Sequence, residues 1–208
     1  DKVLTLSDSH TIKRISSNEL FVSPIKTVVE KKLKKHKERL EVLVTCGGGG
    51  RPSSELFFYE IERLVPLILK KHPNASFTVI SGNYDLKSKI QNSKIISWSD
   101  IFPSLIDQSD LVISEAGYYT LVDLISLGKK AILIPGERRI DNQELRAIKF
   151  EQSGLGLAIF HSENEAGLYK RIDLFLKNIK THAKGLNKMR SKIFSKPSVE
   201  KVLFKLLN

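Results

Sequence analysis

The stretch DLVISEAGYYTLVDLISLGKKAILIPGERRIDNQELRAIKFEQSGLG, residues 110–156, decides the fold. It opens with Leu111–Ser114, a short apolar, β-branched run that breaks at a polar Ser-Glu-Ala-Gly turn. Leu121, Leu124 and Ile125 then recur at helical spacing over 119–127, and the helix stops at Gly128. A second apolar run, 131–134, reaches Pro135 and Gly136. A polar loop over 137–140 follows, and Asp141, Asn142, Gln143 and Glu144 open a further helix that ends at Gly154. Strands this short and this apolar are covered on both faces, which is the condition of a parallel sheet built from βαβ units.

The same rhythm extends outward. Further strands are expected at 42–45, 77–81, 95–98 and 157–160. Between the first two, Phe57, Ile61, Leu64, Val65 and Ile68 trace one face of a helix, with Ser53 or Ser54 as its N-cap. Ahead of residue 40 the pattern is weaker: strands at 3–6 and 20–22, then a lysine-rich helix over 27–39. Val199, Val202, Leu203 and Leu206 mark a C-terminal amphipathic helix started near Pro197 and Ser198. The expected class is α/β, a Rossmann-like three-layer domain with a mainly parallel sheet over 26–208. Residues 1–25 serve as a lead-in or the tail of a preceding domain.

Composition narrows the class further. In 208 residues, 41% are hydrophobic and 27% charged, enough apolar content for a full core, which excludes a disordered chain. No apolar run approaches the ~20 residues that span a bilayer. Cys46 is the single cysteine, so no intrachain disulfide exists, and a reducing compartment suits the chain. No zinc-ligand spacing accompanies it. The chain opens at Asp1 with no signal-peptide pattern, which raises the expectation of a piece of a longer protein or a processed end. The net charge is +11, with a dense run through Lys31, Lys32, Lys34, Lys35, Lys37 and Arg39. A solvated helix face explains such a run, and attraction to anionic lipid is the next reading. Nucleic-acid binding is the non-enzymatic rival, but no nucleic acid is expected as partner, because aromatics are not interleaved with the basic runs.

Three turns, each following a buried strand, carry the candidate chemistry. The first is Gly47, Gly48, Gly49 and Gly50, between a strand and a helix N-terminus. Side-chain-free backbone there admits an anion to the N–H groups and the helix dipole, although a flexible turn has the same composition. No P-loop lysine follows, and no GxGxxG stands in the useful register. The second is Gly117, Tyr118 and Thr120, with Asp123 in the next turns of the helix; a phosphate cradle and an ordinary helix start are both consistent with it. The third is Asp141, Asn142, Gln143 and Glu144. A cap explains Asp141 or Asn142, but not Gln143, a donor and acceptor suited to sugar hydroxyls. Ligands of open α/β sheets sit beyond the carboxyl ends of strands, where all three turns fall.

In this order, and together with Phe21-Val22-Ser23-Pro24-Ile25-Lys26 as a domain junction, the motifs resemble the C-terminal half of GT-B glycosyltransferases. They resemble in particular the family of the peptidoglycan GlcNAc transferase that acts on an undecaprenyl-linked acceptor, and the likeness runs over about residues 22–207. The resemblance implies that Gly47 to Gly50 and Gly117 to Thr120 face a diphosphate and that Trp98 lies beside uracil. It further implies that Asp123 holds the ribose, one methylene shorter than the family's Glu, and that Gln143 contacts the donor sugar with Asp141, Asn142 and Glu144 as neighbours. Without the family, a lone Trp98 reads as core packing. The implied donor is a UDP-sugar, UDP-GlcNAc foremost, with no metal and no further cofactor, and transfer inverts the anomeric carbon. The implied partners are an N-terminal acceptor domain or partner subunit and an anionic membrane surface, in the cytoplasm. The catalytic residue is unassigned: His161 and His72 read as surface or packing histidines. A UDP-sugar epimerase or hydrolase, and the soluble subunit of a split transferase, share the fold and stay open.

Overall fold

The computed structural model describes residues 3–6, 19–22, 27–29, 39–47, 52–86, 90–137, 142–161, 163–179 and 186–195. Strands β1 (Val3–Leu6) and β2 (Glu19–Val22) pair in parallel as a separate two-stranded sheet. The main sheet is built by β3 (Glu41–Thr45), β4 (Ser76–Ile80), β5 (Ser93–Ile96), β6 (Leu111–Ser114), β7 (Ala131–Leu133) and β8 (Gly156–Ala158). Helix α1 (Pro52–Lys71) joins β3 to β4, α2 (Phe102–Gln108) joins β5 to β6, α3 (Tyr118–Leu127) joins β6 to β7, and α4 (Gln143–Gln152) joins β7 to β8. Helices α5 (Glu165–Lys177) and α6 (Leu186–Ile193) follow the last strand.

Every pairing in the six-stranded sheet is parallel, in the order β5-β4-β3-β6-β7-β8. The chain steps outward from β3 to β4 and β5, returns to the middle at β6, and steps outward the other way through β7 and β8. Right-handed crossovers in opposite directions put their helices on opposite faces. The core divides accordingly. Val42 and Val44 of β3 pack with Phe57, Ile61 and Leu64 of α1 and with Leu168 of α5. Leu43, between them and pointing the other way, packs with Leu121 and Leu124 of α3 and with Phe150 of α4. The central strands β6 and β7 are buried at every position, as the apolar runs require.

Several expectations are corrected. Helix α1 begins at Pro52, so Ser53 and Ser54 lie inside its first turn and neither is the N-cap. Proline suits a first helical position, where its missing N–H has no intrahelical acceptor to serve. Thr27, Val28 and Val29 run irregularly and are not the start of a helix. The rest of the lysine-rich segment up to residue 38, and the C-terminal helix expected after Pro197, lie outside the described residues. Strand β5 ends at Ile96, which leaves Trp98 in the loop beyond its carboxyl end. It is 74% exposed, so core packing is not its role. Helices α2, α5 and α6 add to the elements expected from sequence. The seven residues of α2 are too few for a period to show, but Leu168, Ile172 and Leu176 of α5 recur every four residues behind the N-cap Asn164, whose Oδ1 accepts from Gly167 N at 2.8 Å.

Candidate functional site

The strand order reverses between β3 and β6, and at such a switch point the two outgoing connections diverge to opposite faces and leave a crevice beyond the carboxyl ends. Thr45 and Ser114 are partners in the ladder, so the turns after β3 and β6 leave the sheet side by side. Ser114 also pairs with Leu133, which brings in the turn after β7, and Ile134 N donates to Ser114 O at 2.9 Å.

The first turn passes through Gly47 at φ 72°, a left-handed conformation that favours glycine, and Gly47 N donates to Thr45 Oγ1 at 3.2 Å. Gly48, Gly49 and Gly50 lie outside the described residues, as does Asp141 of the third turn. In the second turn, Ser114 Oγ donates to Glu115 O at 3.0 Å and Gly117 is the N-cap of α3. No side chain caps that helix, so its N-terminus offers backbone N–H groups and the positive end of its dipole to the crevice. Thr120 Oγ1 lies 3.7 Å from where a Gly117 Cβ would stand. Tyr118 is half-buried and Tyr119 is exposed, their rings edge to face at 5.5 Å.

The third turn is tied to both of its neighbours. A side chain on Gly136 would stand 2.9 Å from Glu115 Oε1 and 3.2 Å from Ser53 Cβ, so the mouth of α1, the β6–α3 turn and the β7–α4 loop meet at this glycine. Gln143 is 3% exposed and its Oε1 accepts from Gly136 N at 3.0 Å, tying the turn after β7 to the first residue of α4. Asn142 is the N-cap of α4, its Oδ1 accepting from Leu145 N at 2.9 Å, and Glu144 is exposed in the first turn. One helical step beyond Gln143, Arg146 Nε donates to Ala116 O at 3.0 Å, in the peptide just before the α3 cap. Helix α4 therefore holds two of the three turns with side chains at i and i+3.

Asp123, on the second turn of α3, accepts at Oδ1 from Thr27 Oγ1. Burial holds its carboxyl above the usual carboxylate range, and the Thr27 hydrogen bond draws it part of the way back. The structure thus brings Gly47, Gly117, Thr120 and Gln143 to neighbouring turns at one end of the sheet, with Asp123 a turn and a half along α3 and Trp98 past the end of β5. Sequence reasoning missed Glu115, Gly136, Arg146 and Thr27. Arg146 had a signal, its i+3 spacing from Gln143, whereas Thr27 had none.

His161 belongs to a different cluster. Its Nδ1 lies 3.2 Å from Oε1 of Glu60, a carboxylate with a 1% exposed side chain that Arg63 binds with Nη1 at 3.0 and 2.9 Å. The cluster ties α1 to the segment after β8. Among the described residues no group of three His, Cys, Asp or Glu stands close enough to hold a metal, and no helix is long and apolar enough to cross a membrane.

Among solved structures, the chain superposes on the glycotransferase of kitacinnamycin with a TM-score of 0.66 at 14% identity, covering 91% of this chain and 48% of that one. On MurG of Acinetobacter baumannii the TM-score is 0.58 at 16% identity, covering 92% and 56%. At such identities the likeness is one of fold. A Clostridium perfringens protein named UDP-N-acetylglucosamine–N-acetylmuramyl-(pentapeptide) pyrophosphoryl-undecaprenol N-acetylglucosamine transferase is 31% identical over 170 residues, 80% of this chain and 44% of that protein. A protein of the same name from Alkaliphilus metalliredigens is 31% identical over 131 residues. The chain thus spans less than half the length of these relatives. The model of the glycosyltransferase family 28 C-terminal domain matches residues 22–203, and the chain belongs to that family.

Proposed function

We propose that the chain is the donor-binding half of an inverting, metal-independent glycosyltransferase that takes a UDP-sugar, UDP-GlcNAc foremost. The observation that carries this reading is the uncapped α3 N-terminus beside the Gly47 turn, at the switch point of a sheet belonging to this family. A diphosphate seated there accepts from backbone N–H groups and lies at the positive end of a helix dipole, which together offset its charge without a divalent ion. Trp98, exposed beyond β5, offers its ring to the uracil face. The Asp123 carboxylate takes the ribose hydroxyls, and Gln143 Nε2 is left to donate to a sugar hydroxyl while Oε1 holds the loop.

In the reaction an acceptor hydroxyl attacks the anomeric carbon from the face opposite UDP. The new glycosidic C–O bond forms as the bond to the β-phosphate oxygen breaks, and the departing negative charge falls on groups already oriented to receive it. The acceptor and the general base come from the acceptor half or a partner subunit, and closure over the crevice excludes water. The excess of positive charge favours an anionic membrane surface as the place of work.

Calorimetric titration of the chain with UDP, UDP-GlcNAc, UDP-Glc and ADP in EDTA tests the reading. Uridine-selective binding with UDP-GlcNAc preferred over UDP-Glc supports it; equal binding of ADP, or binding only when a divalent ion is restored, overturns it.

A further inference from the structure

Resting on the assignment of Asp123 to the ribose, we infer that Thr27 is a positioning residue of the nucleoside site: its hydroxyl fixes the Asp123 carboxylate that the ribose hydroxyls meet. Thr27 lies far away in sequence, ahead of β3, and reaches α3 twice. Its Oγ1 donates to Asp123 Oδ1, and its backbone N donates to Ser126 Oγ at 3.3 Å. Asp123 and Ser126 stand at i and i+3 on one helix face, so a single residue grips both. Ser126 is itself held, since it is buried and its carbonyl accepts from Arg190 Nη2 at 2.6 Å while Arg190 Nε donates to Ile125 O at 2.9 Å. The next residue, Val28, is 82% exposed, so the inward contact is made by Thr27 itself and not by a buried strand around it.

The latch does chemical work. An ionised carboxylate offers about four lone-pair sites, of which Thr27 takes one, leaving Oδ2 and the second lone pair of Oδ1 for a ribose diol. Burial favours the neutral acid, which accepts hydrogen bonds less well, and the Thr27 hydroxyl opposes that tendency. Among the described side chains, charged groups on the helices packed against α3 are Asp107 of α2, bound by Lys129 at 3.3 Å, and Lys188 and Arg190 of α6. On α3 itself the titratable residues ahead of Asp123 are Tyr118 and Tyr119. None of these contributes to the Asp123 shift, whose causes are burial and Thr27.

The test compares the wild-type chain with Thr27→Val, Thr27→Ser and Asp123→Asn, titrated with UDP and with 2′,3′-dideoxy-UDP across the acidic range. Thr27→Val should raise the Kd for UDP about five- to tenfold. It should also move the acid limb of UDP binding to higher pH and leave dideoxy-UDP binding unchanged, and Thr27→Ser should restore both affinity and pH profile. Tighter UDP binding by Thr27→Val would mean that Thr27 competes with the ribose; an unchanged Kd and pH profile with lower stability would mean a purely structural latch. Either result overturns the inference. If Asp123→Asn leaves UDP binding intact, the ribose assignment itself fails; if it weakens binding while Thr27→Val does not, the fault lies with the inference alone.

Discussion

Gly156→Ala tests the packing that fixes the last strand. Gly156 of β8 faces Ala131 of β7 across the ladder, and a Cβ there would stand 2.2 Å from the Ala131 carbonyl oxygen and 2.6 Å from the Phe150 ring. The oxygen belongs to the backbone of a buried strand and has no rotamer to adopt. Relief therefore requires β8 to move by roughly an ångström, against the Ile159 N to Leu133 O bond at 2.8 Å and against Phe150, which is fully buried. Overpacking of this kind costs about 1–3 kcal/mol, and the rigid partner puts this site near ~3 kcal/mol. In a chain of this size that corresponds to a fall in Tm of about 6–12 °C. Gly154→Ala provides the internal control: Gly154 is left-handed at φ 74° with nothing within 4 Å of its Cβ position, so it loses only about 1 kcal/mol to backbone strain. Far-UV circular dichroism in urea is the appropriate assay, because Trp98 is the single tryptophan and, at 74% exposure, a weak fluorescence reporter of unfolding. If Gly156→Ala proves no more destabilising than Gly154→Ala, the close approach of β7 and β8 is not as described.

Asp123→Asn should flatten the acid dependence of stability. Burial raises the folded-state carboxyl above 3.8, so the native chain holds a proton that the unfolded chain releases, and wild-type stability falls as pH rises through that window. Urea midpoints against pH, equal in slope for both proteins, would contradict it. Gln143→Ala removes the acceptor for Gly136 N and the proposed donor to the sugar; UDP-GlcNAc affinity should drop about tenfold while UDP affinity stays within about twofold. A parallel loss of UDP binding in calorimetry would show that Gln143 acts through the loop alone. Arg63→Met strips from Glu60, whose side chain is 1% exposed, the guanidinium whose Nη1 reaches both carboxylate oxygens, and should cost about 3 kcal/mol in urea unfolding. Glu60→Gln combined with Arg63→Met should recover most of that loss, and no recovery would place the cost in packing of the arginine stem.

The middle of the fold is legible because its signals are local and agree. In the span from β6 to α4, apolar runs, helical spacing and the Gly128 stop all lie within a few residues of the boundaries they set, and Gly128 does adopt φ 70° as the C-cap of α3. The strands expected at 42–45 and 111–114 end where β3 and β6 end, whereas the other four expected strands of the main sheet run a residue or two past their ladders, and apolar residues such as Ile134 and Phe160 continue beyond the last pair. Trp98 shows the limit of composition: a large aromatic is ordinarily buried, and nothing in its own segment says that β5 stops two residues earlier. The candidate site divides in the same way. The turns of Gly47 and Gly117 could be read from strand-glycine-helix order, whereas the Thr27 contact spans 96 residues and exists only after α3 and the junction segment are both in place.

The distribution of labour within the crevice follows from what each kind of group can do. On the proposed reading, the diphosphate region is furnished by main-chain N–H groups and a helix end, whose orientation is set by the sheet rather than by any one side chain. Helix α4 reinforces this from behind, since the Arg146 bond to Ala116 O and the Gln143 bond to Gly136 N hold the two loops whose backbone frames the mouth. If the proposed assignments hold, discrimination among ligands falls on side chains at the two extremities, Asp123 and Trp98 toward the nucleoside and Gln143 toward the sugar. In that proposal affinity separates from selectivity: the charge of the phosphates is met by the fold, and base, ribose and sugar are each judged by one or two residues.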